Sequence, residues 1–213
     1  MTEYLTEQEQ IELLKSWIKQ YSLVILAGMA LALASVTGWR YWQQRQNRII
    51  GHASAVYDEM LTVRAQNDAS ATLIQADKLF KHYPHTIYSQ MAALMQARDA
   101  ANKKDYDKAE TRLQWVIDNS RVASFRQIAR LRLARVLLAV KKPQQSIDTL
   151  RKVDDKSFNG LTEEIRGDAY LAMNDVTNAR AAYKQALVDL PNAEVIRPLL
   201  QMKYDNLAIT DVS

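Results

Sequence analysis

Few side chains in this 213-residue sequence have the type and spacing for chemistry. His82 and His85 lie three residues apart, an offset that could present two metal ligands on one helical turn. Pro84 between them breaks the helix that would face both imidazoles the same way, so an inter-element turn is the better reading. Cys is absent, which excludes a disulfide framework, a thiolate metal site and a cysteine nucleophile. The five Gly are too scattered to build a phosphate-cradling loop or a nucleophile elbow. The sequence reads as non-catalytic, with neither cofactor nor metal.

What remains is the chemistry of recognition. Arg126 and Arg130 are four residues apart and Arg132 and Arg135 three, so each pair forms a ridge on one helix, first of all a solvated face and alternatively a contact for acidic protein surface or anionic lipid. They belong to a basic stretch: from Arg121 to Lys156 ten Lys/Arg face three Asp, a local charge of +7. From 157 to 213 five basic residues face eight acidic ones, a local charge of −3, so the overall +4 conceals an uneven distribution that suits partners of either sign. No aromatic platform is interleaved with the arginines, which argues against nucleic acid. Trp115 is the aromatic residue best placed to reach a surface as a rigid anchor, whereas Tyr183 is expected in a core.

These side chains need elements to hold them, and composition favours helices: Gly and Pro number only five and four, while Ala, Leu, Gln, Lys and Arg are plentiful. The clearest spacing is Gly167-x-x-Tyr170, then Ala179, Tyr183, Ala186-Leu187 and Pro191, which resembles a tetratricopeptide repeat. Small residues sit where two antiparallel helices touch, tyrosines fill the gaps, Asn174-Asp175 makes the turn, and Pro191 stops the second helix. Moving upstream by 33 residues superposes Ala134, Leu137, Ser146 and Leu150, with Lys141-Lys142 in the turn and Pro143 opening the second helix. Another 37 residues back, Ala97, Ala100, Ala109 and Leu113 keep the phase. The first unit, with Met60, Val63, Leu79 and Phe80, departs most from the pattern. The expectation is four helix pairs over 51–191 and a capping helix near 192–207, kinked or divided by Pro198.

Ahead of the repeats no residue between Lys19 and Arg40 is charged. The run YSLVILAGMALALASVTGW would span roughly 28 Å as a helix, enough to cross a bilayer core. Trp17 and Tyr21 flank one end, and Trp39, Tyr41 and Trp42 the other, as amphipathic rings do at headgroup depth. Cleavage after Ala32-Leu33-Ala34 would make this a signal peptide. The preceding twenty residues carry Glu3, Glu7, Glu9 and Glu12, however, where a signal peptide has a short basic segment. Within the run Ala27, Ala30, Ala34 and Gly38 form a small-residue stripe that would let another transmembrane helix approach closely. The expected organisation is a tail (1–20), a transmembrane helix (21–40), a helical extension (41–50) and a repeat domain (51–213). The fold class is all-α, one N-terminal transmembrane helix followed by a short tetratricopeptide-like solenoid. Two Lys before the span (Lys15, Lys19) and three Arg after it (Arg40, Arg45, Arg48) leave orientation open, since long domains translocate largely regardless of so small a bias.

The tail ending in WIKQY, the apolar run, the exit WRYWQQRQ and the repeat GDAYLAMNDVTNARAAYKQAL together resemble the bacterial ancillary SecYEG translocon subunit family over essentially the whole chain. That resemblance implies an inner-membrane protein with a cytoplasmic N-terminus and a periplasmic helical domain. It also implies partnership with the SecYEG translocon, the periplasmic chaperone PpiD and exported client proteins, at the surface of the lipid bilayer. A different class of function, control of a cytoplasmic stress-response factor, would rest on Ile11, Leu14 and Ile18, which recur at helical spacing in the tail.

Overall fold

The computed structural model describes residues 7–191 and 194–208, and every regular element among them is helical. In chain order these are α1 (Glu7–Ala65), α2 (Ala69–His82), α3 (Ile87–Asn102), α4 (Tyr106–Asn119) and α5 (Ala123–Ala139). There follow α6 (Pro143–Leu150), a 3-10 turn (Lys156–Phe158), α7 (Asn159–Ala172), α8 (Val176–Asp189) and α9 (Arg197–Ala208). The chain divides into two compact units, residues 1–51 and 52–213. Tail residues 1–6 and the C-terminal 209–213 lie outside the described residues.

The first unit is the greater part of α1. Large apolar side chains in it stand exposed: Leu23 is 80% exposed, Leu31 69% and Leu33 67%. Its hydroxyls, by contrast, are satisfied locally, Ser35 Oγ donating to the Leu31 carbonyl at 2.8 Å and Thr37 Oγ1 to that of Leu33 at 2.8 Å. Aromatic pairs mark both ends, Trp17 with Tyr21 and Trp39 with Trp42, each with ring centroids 5.4 Å apart. Among the described residues no single helix is long and apolar enough to cross a membrane. Gln10–Val24 and Leu26–Ala65, bent by 48°, satisfy length and composition together.

The second unit repeats one turn. Asn67, Lys104, Lys141 and Asn174 all take the left-handed conformation, at φ 60° to 62° and at spacings of 37, 37 and 33 residues. Each ends the first helix of a pair, and the next residue opens the second. Asp68, Asp105 and Asp175 accept the N–H of Ala71, Lys108 and Asn178 at 2.9, 3.3 and 3.1 Å, so the same short side chain caps three of the four second helices. In the third pair Lys142 replaces the capping Asp, and Pro143 at the first helical position compensates through its fixed φ.

One buried position on each first helix faces one on the second, and the volumes are complementary. Gly167 faces Tyr183, Ala134 shares a cluster with Leu150, and Ala97 shares one with Leu113. In the first pair the sizes exchange: Met60, 1% exposed, shares a cluster with Ala76, 0% exposed. The weak first repeat is therefore a helix pair with large and small residues swapped. A Cβ at Gly167 would lie 2.4 Å from the Tyr183 ring, which is why glycine stands there.

Pro198 departs from expectation. It lies in the first turn of α9, where its missing N–H would have had no helical acceptor, so it helps to start the helix instead of kinking it. Leu200 and Leu207 of α9 then join Ala179, Tyr183 and Ala186 in the last core cluster.

Candidate partner-binding groove

The first helices of successive pairs lie side by side, so residues in equivalent phase form rows across them. Arg98, Arg135 and Asp168 occupy one phase, separated by the same 37 and 33 residues as the turns. Each follows the small interface residue directly (Ala97, Ala134, Gly167), so it starts from the closest approach of two helices.

Ion pairs run from this row. At one end Arg64 Nη1 and Nη2 bond Asp99 Oδ2 and Oδ1 at 2.5 and 3.0 Å, a two-pronged pairing whose hydrogen bonds hold the guanidinium above its ordinary pKa. Arg98 Nε lies 3.8 Å from the same carboxylate. At the other end Arg135 Nη2 bonds Glu164 Oε2 at 2.8 Å, and Lys203 Nζ of α9 reaches Glu164 Oε1 at 3.1 Å and Asp168 Oδ1 at 2.7 Å. Tyr183 Oη donates to Asp168 Oδ1 at 2.6 Å. Burial disfavours the Lys203 ammonium, but Asp168 and Glu164 together outweigh it and hold its pKa above the ordinary value. Burial, reinforced by Asp168, pushes the Tyr183 phenol up strongly.

Between these paired ends Arg98, Arg132 and Arg135 border a groove of about 400 Å³ floored by Ala101, Leu113 and Val136. Arg132 is exposed and has no acidic partner among the described residues. Displacement of water by the surrounding protein, then repulsion from Arg98 and Arg135, lowers its pKa.

The structure thus separates the four arginines that the sequence placed in one stretch. Arg126 Nη1 donates to the Ser120 carbonyl at 2.8 Å and Arg130 Nη1 to that of Lys152 at 2.8 Å, so both tie down connections next to α5. Arg132 and Arg135 turn to the groove. Trp115 is half-buried, its ring 4.8 Å from Phe80, with Arg112 over the Phe80 face at 4.6 Å, so it packs between helices. His85 Nδ1 lies 2.9 Å from the Asn119 carbonyl, an inter-repeat contact. Ala27, Ala30, Ala34 and Gly38 are exposed in the first unit, and a Cβ on Gly38 would meet nothing within 4 Å. Sequence reasoning missed Arg64, Arg98, Asp99, Glu164, Asp168 and Lys203. The signal for Arg98 was present, because it stands one repeat before Arg135.

Comparison with known proteins places these features in context. A family model described as a tetratricopeptide repeat-like domain matches residues 15–209. Proteins named ancillary SecYEG translocon subunit are similar over almost the whole length. The Neisseria gonorrhoeae protein is 34% identical over 97% of this chain and 100% of its own. The Haemophilus influenzae protein is 29% identical over 94% and 97%, and the Escherichia coli protein 27% over 97% and 98%. No solved structure matches significantly.

Proposed function

Since the chain belongs to the ancillary SecYEG translocon subunit family and carries its tetratricopeptide repeat-like domain, we propose that it is a non-catalytic subunit associated with the SecYEG translocon of the bacterial inner membrane. The apolar segment near 21–40 is its anchor, the N-terminus faces the cytoplasm, and the repeat domain works in the periplasm. There it links exported clients to periplasmic chaperones such as PpiD. The observation that carries this reading is the similarity to the Neisseria gonorrhoeae protein over 97% of this chain and 100% of its own.

The physics of the first unit supports the anchor. Leaving several large aliphatic side chains in water costs each about 1.5–3 kcal/mol relative to burial, and among the described residues Leu23, Leu31 and Leu33 are exposed. Lipid or a neighbouring transmembrane helix would cover them. Hydroxyls at Ser35 and Thr37 already bonded within the helix leave no side-chain donor stranded in hydrocarbon. The stripe Ala27, Ala30, Ala34 and Gly38 provides a smooth surface for such a neighbour.

Photo-crosslinking in intact membranes tests the proposal. A reactive side chain at Ala34 or Gly38 should capture translocon subunits, and others across 52–191 should capture chaperone or exported polypeptide. Capture of neither class from any position would overturn the reading.

A further inference from the structure

Charge along the row formed by the last turn of α1 and by α3, α5, α7 and α9 does not balance. Among the described residues Arg64, Arg98, Arg132, Arg135 and Lys203 are set against Asp99, Glu164 and Asp168, each already engaged by at least one cation. The surplus lies in the middle, where Arg132 stands without a carboxylate between Arg98 and Arg135, whose side chains are 63% and 48% exposed. Three guanidiniums held this close repel one another, and the fold keeps them together over a floor of alanines, Leu113 and Val136. Such an arrangement has an evident complement: carboxylates for the rim and small aliphatic groups for the floor. We propose that the groove bordered by Arg98, Arg132 and Arg135 docks an acidic, extended segment of a partner polypeptide, with Arg132 as its central contact.

An extended segment fits this chemistry because successive side chains point to opposite sides. Alternating acidic and small apolar residues would then send carboxylates to the arginines and methyls to the floor. Guanidinium forks bond carboxylates in two-pronged fashion, as Arg64 already does with Asp99. An isolated phosphate headgroup would satisfy the arginines but leave the apolar floor uncovered. The inference rests on the repeat domain being a protein-binding module, and it specifies the surface and the class of segment bound.

The test uses the full chain in nanodiscs of neutral lipid and a fluorescein-labelled peptide alternating Glu and Ala, read by anisotropy. Binding should weaken as salt rises. Arg132→Glu should weaken it about tenfold or more, Arg132→Lys less, and Lys184→Glu, the same charge change on exposed α8, by less than about twofold. Arg132 has no partner to lose and is repelled by Arg98 and Arg135, so helix content should be unchanged and melting should not fall; Arg98→Glu provides a second probe of the same rim. Equal affinity for a Gln-for-Glu peptide, or indifference to both Arg132→Glu and Arg98→Glu, would overturn the proposal. So would failure of the peptide alongside Arg132-dependent binding to phosphatidylglycerol vesicles, which would assign the groove to lipid. Translocon crosslinking from Ala34 that persists while peptide binding fails would overturn the groove assignment alone.

Discussion

Tyr183 is held at both ends of its side chain. Its ring occupies the space that Gly167 leaves by lacking a Cβ, and its hydroxyl reaches Asp168, which Lys203 also holds. Packing and hydrogen bonding are separable here, because Tyr183→Phe keeps the ring and removes only the donor. At pH 8 the substitution should cost about 1.5–3 kcal/mol, the usual net worth of a hydrogen bond to a charged group. The pH dependence follows from burial first and Asp168 second, both raising the phenol's pKa in the folded state. Up to about pH 10 the tyrosine is neutral folded or unfolded; above that the unfolded chain releases its proton first, so the folded state binds more protons and stability falls as pH rises. The Lys203 ammonium, held above its ordinary value, acts in the same direction: its contribution is complete below its unfolded pKa and is lost as pH climbs through the folded one. Tyr183→Phe retains the lysine's share and loses the tyrosine's. Urea unfolding of both proteins should therefore show a smaller difference at pH 11 than at pH 8; an equal or larger difference would uncouple the phenol's ionisation from folding.

At the scale of elements the repeat is written in two places, the turn and the facing pair of core positions. The turn was legible in the sequence wherever the residues are good turn formers, as in Asn174-Asp175, and also where Lys141-Lys142 precedes a proline. The first pair was hard to read because the small-residue signal is reversed: Met60 takes the position of Ala97, Ala134 and Gly167, and Ala76 that of Leu113, Leu150 and Tyr183. Packing requires only that the two volumes together fill the interface, so either order satisfies it. The exchange makes a sharp prediction. Met60→Ala should destabilise by about 2–4 kcal/mol, since it leaves Ala facing Ala. Adding Ala76→Leu should restore at least half of that loss by recreating the order of the second and third pairs. Denaturant midpoints of the two single variants and the double variant measure the coupling, and purely additive losses would refute complementary filling. The groove was less legible than the turns. Arg132 and Arg135 stood out as a ridge, but their separation from Arg126 and Arg130 depends on which way each side of α5 faces, and Arg98 enters only when the repeats are superposed.

For the whole molecule, the two units pose different problems of solvent, and that difference bears on topology. One unit exposes leucines that water penalises, while the other buries its own apolar faces and shows water a charged groove. The proposed anchor would put the first unit in lipid and leave the second in an aqueous compartment, but neither placement chooses the compartment. The flanking charges do not choose it either, with Lys15 and Lys19 on one side set against Arg40, Arg45 and Arg48 on the other. The periplasm is the compartment proposed above, and the proposal can be checked directly. Arg121 is exposed in the connection between α4 and α5, and Arg151 and Lys152 are exposed after α6, so trypsin has sites inside the repeat domain that leave the helices intact until cleavage. In intact cells the repeat domain should resist trypsin, and after osmotic opening of the outer membrane it should be cut, while an epitope on the N-terminal tail stays protected. Cleavage of the repeats that waits until the inner membrane is dissolved would invert the orientation, move the arginine groove into the cytoplasm and rule out exported polypeptides as its occupants.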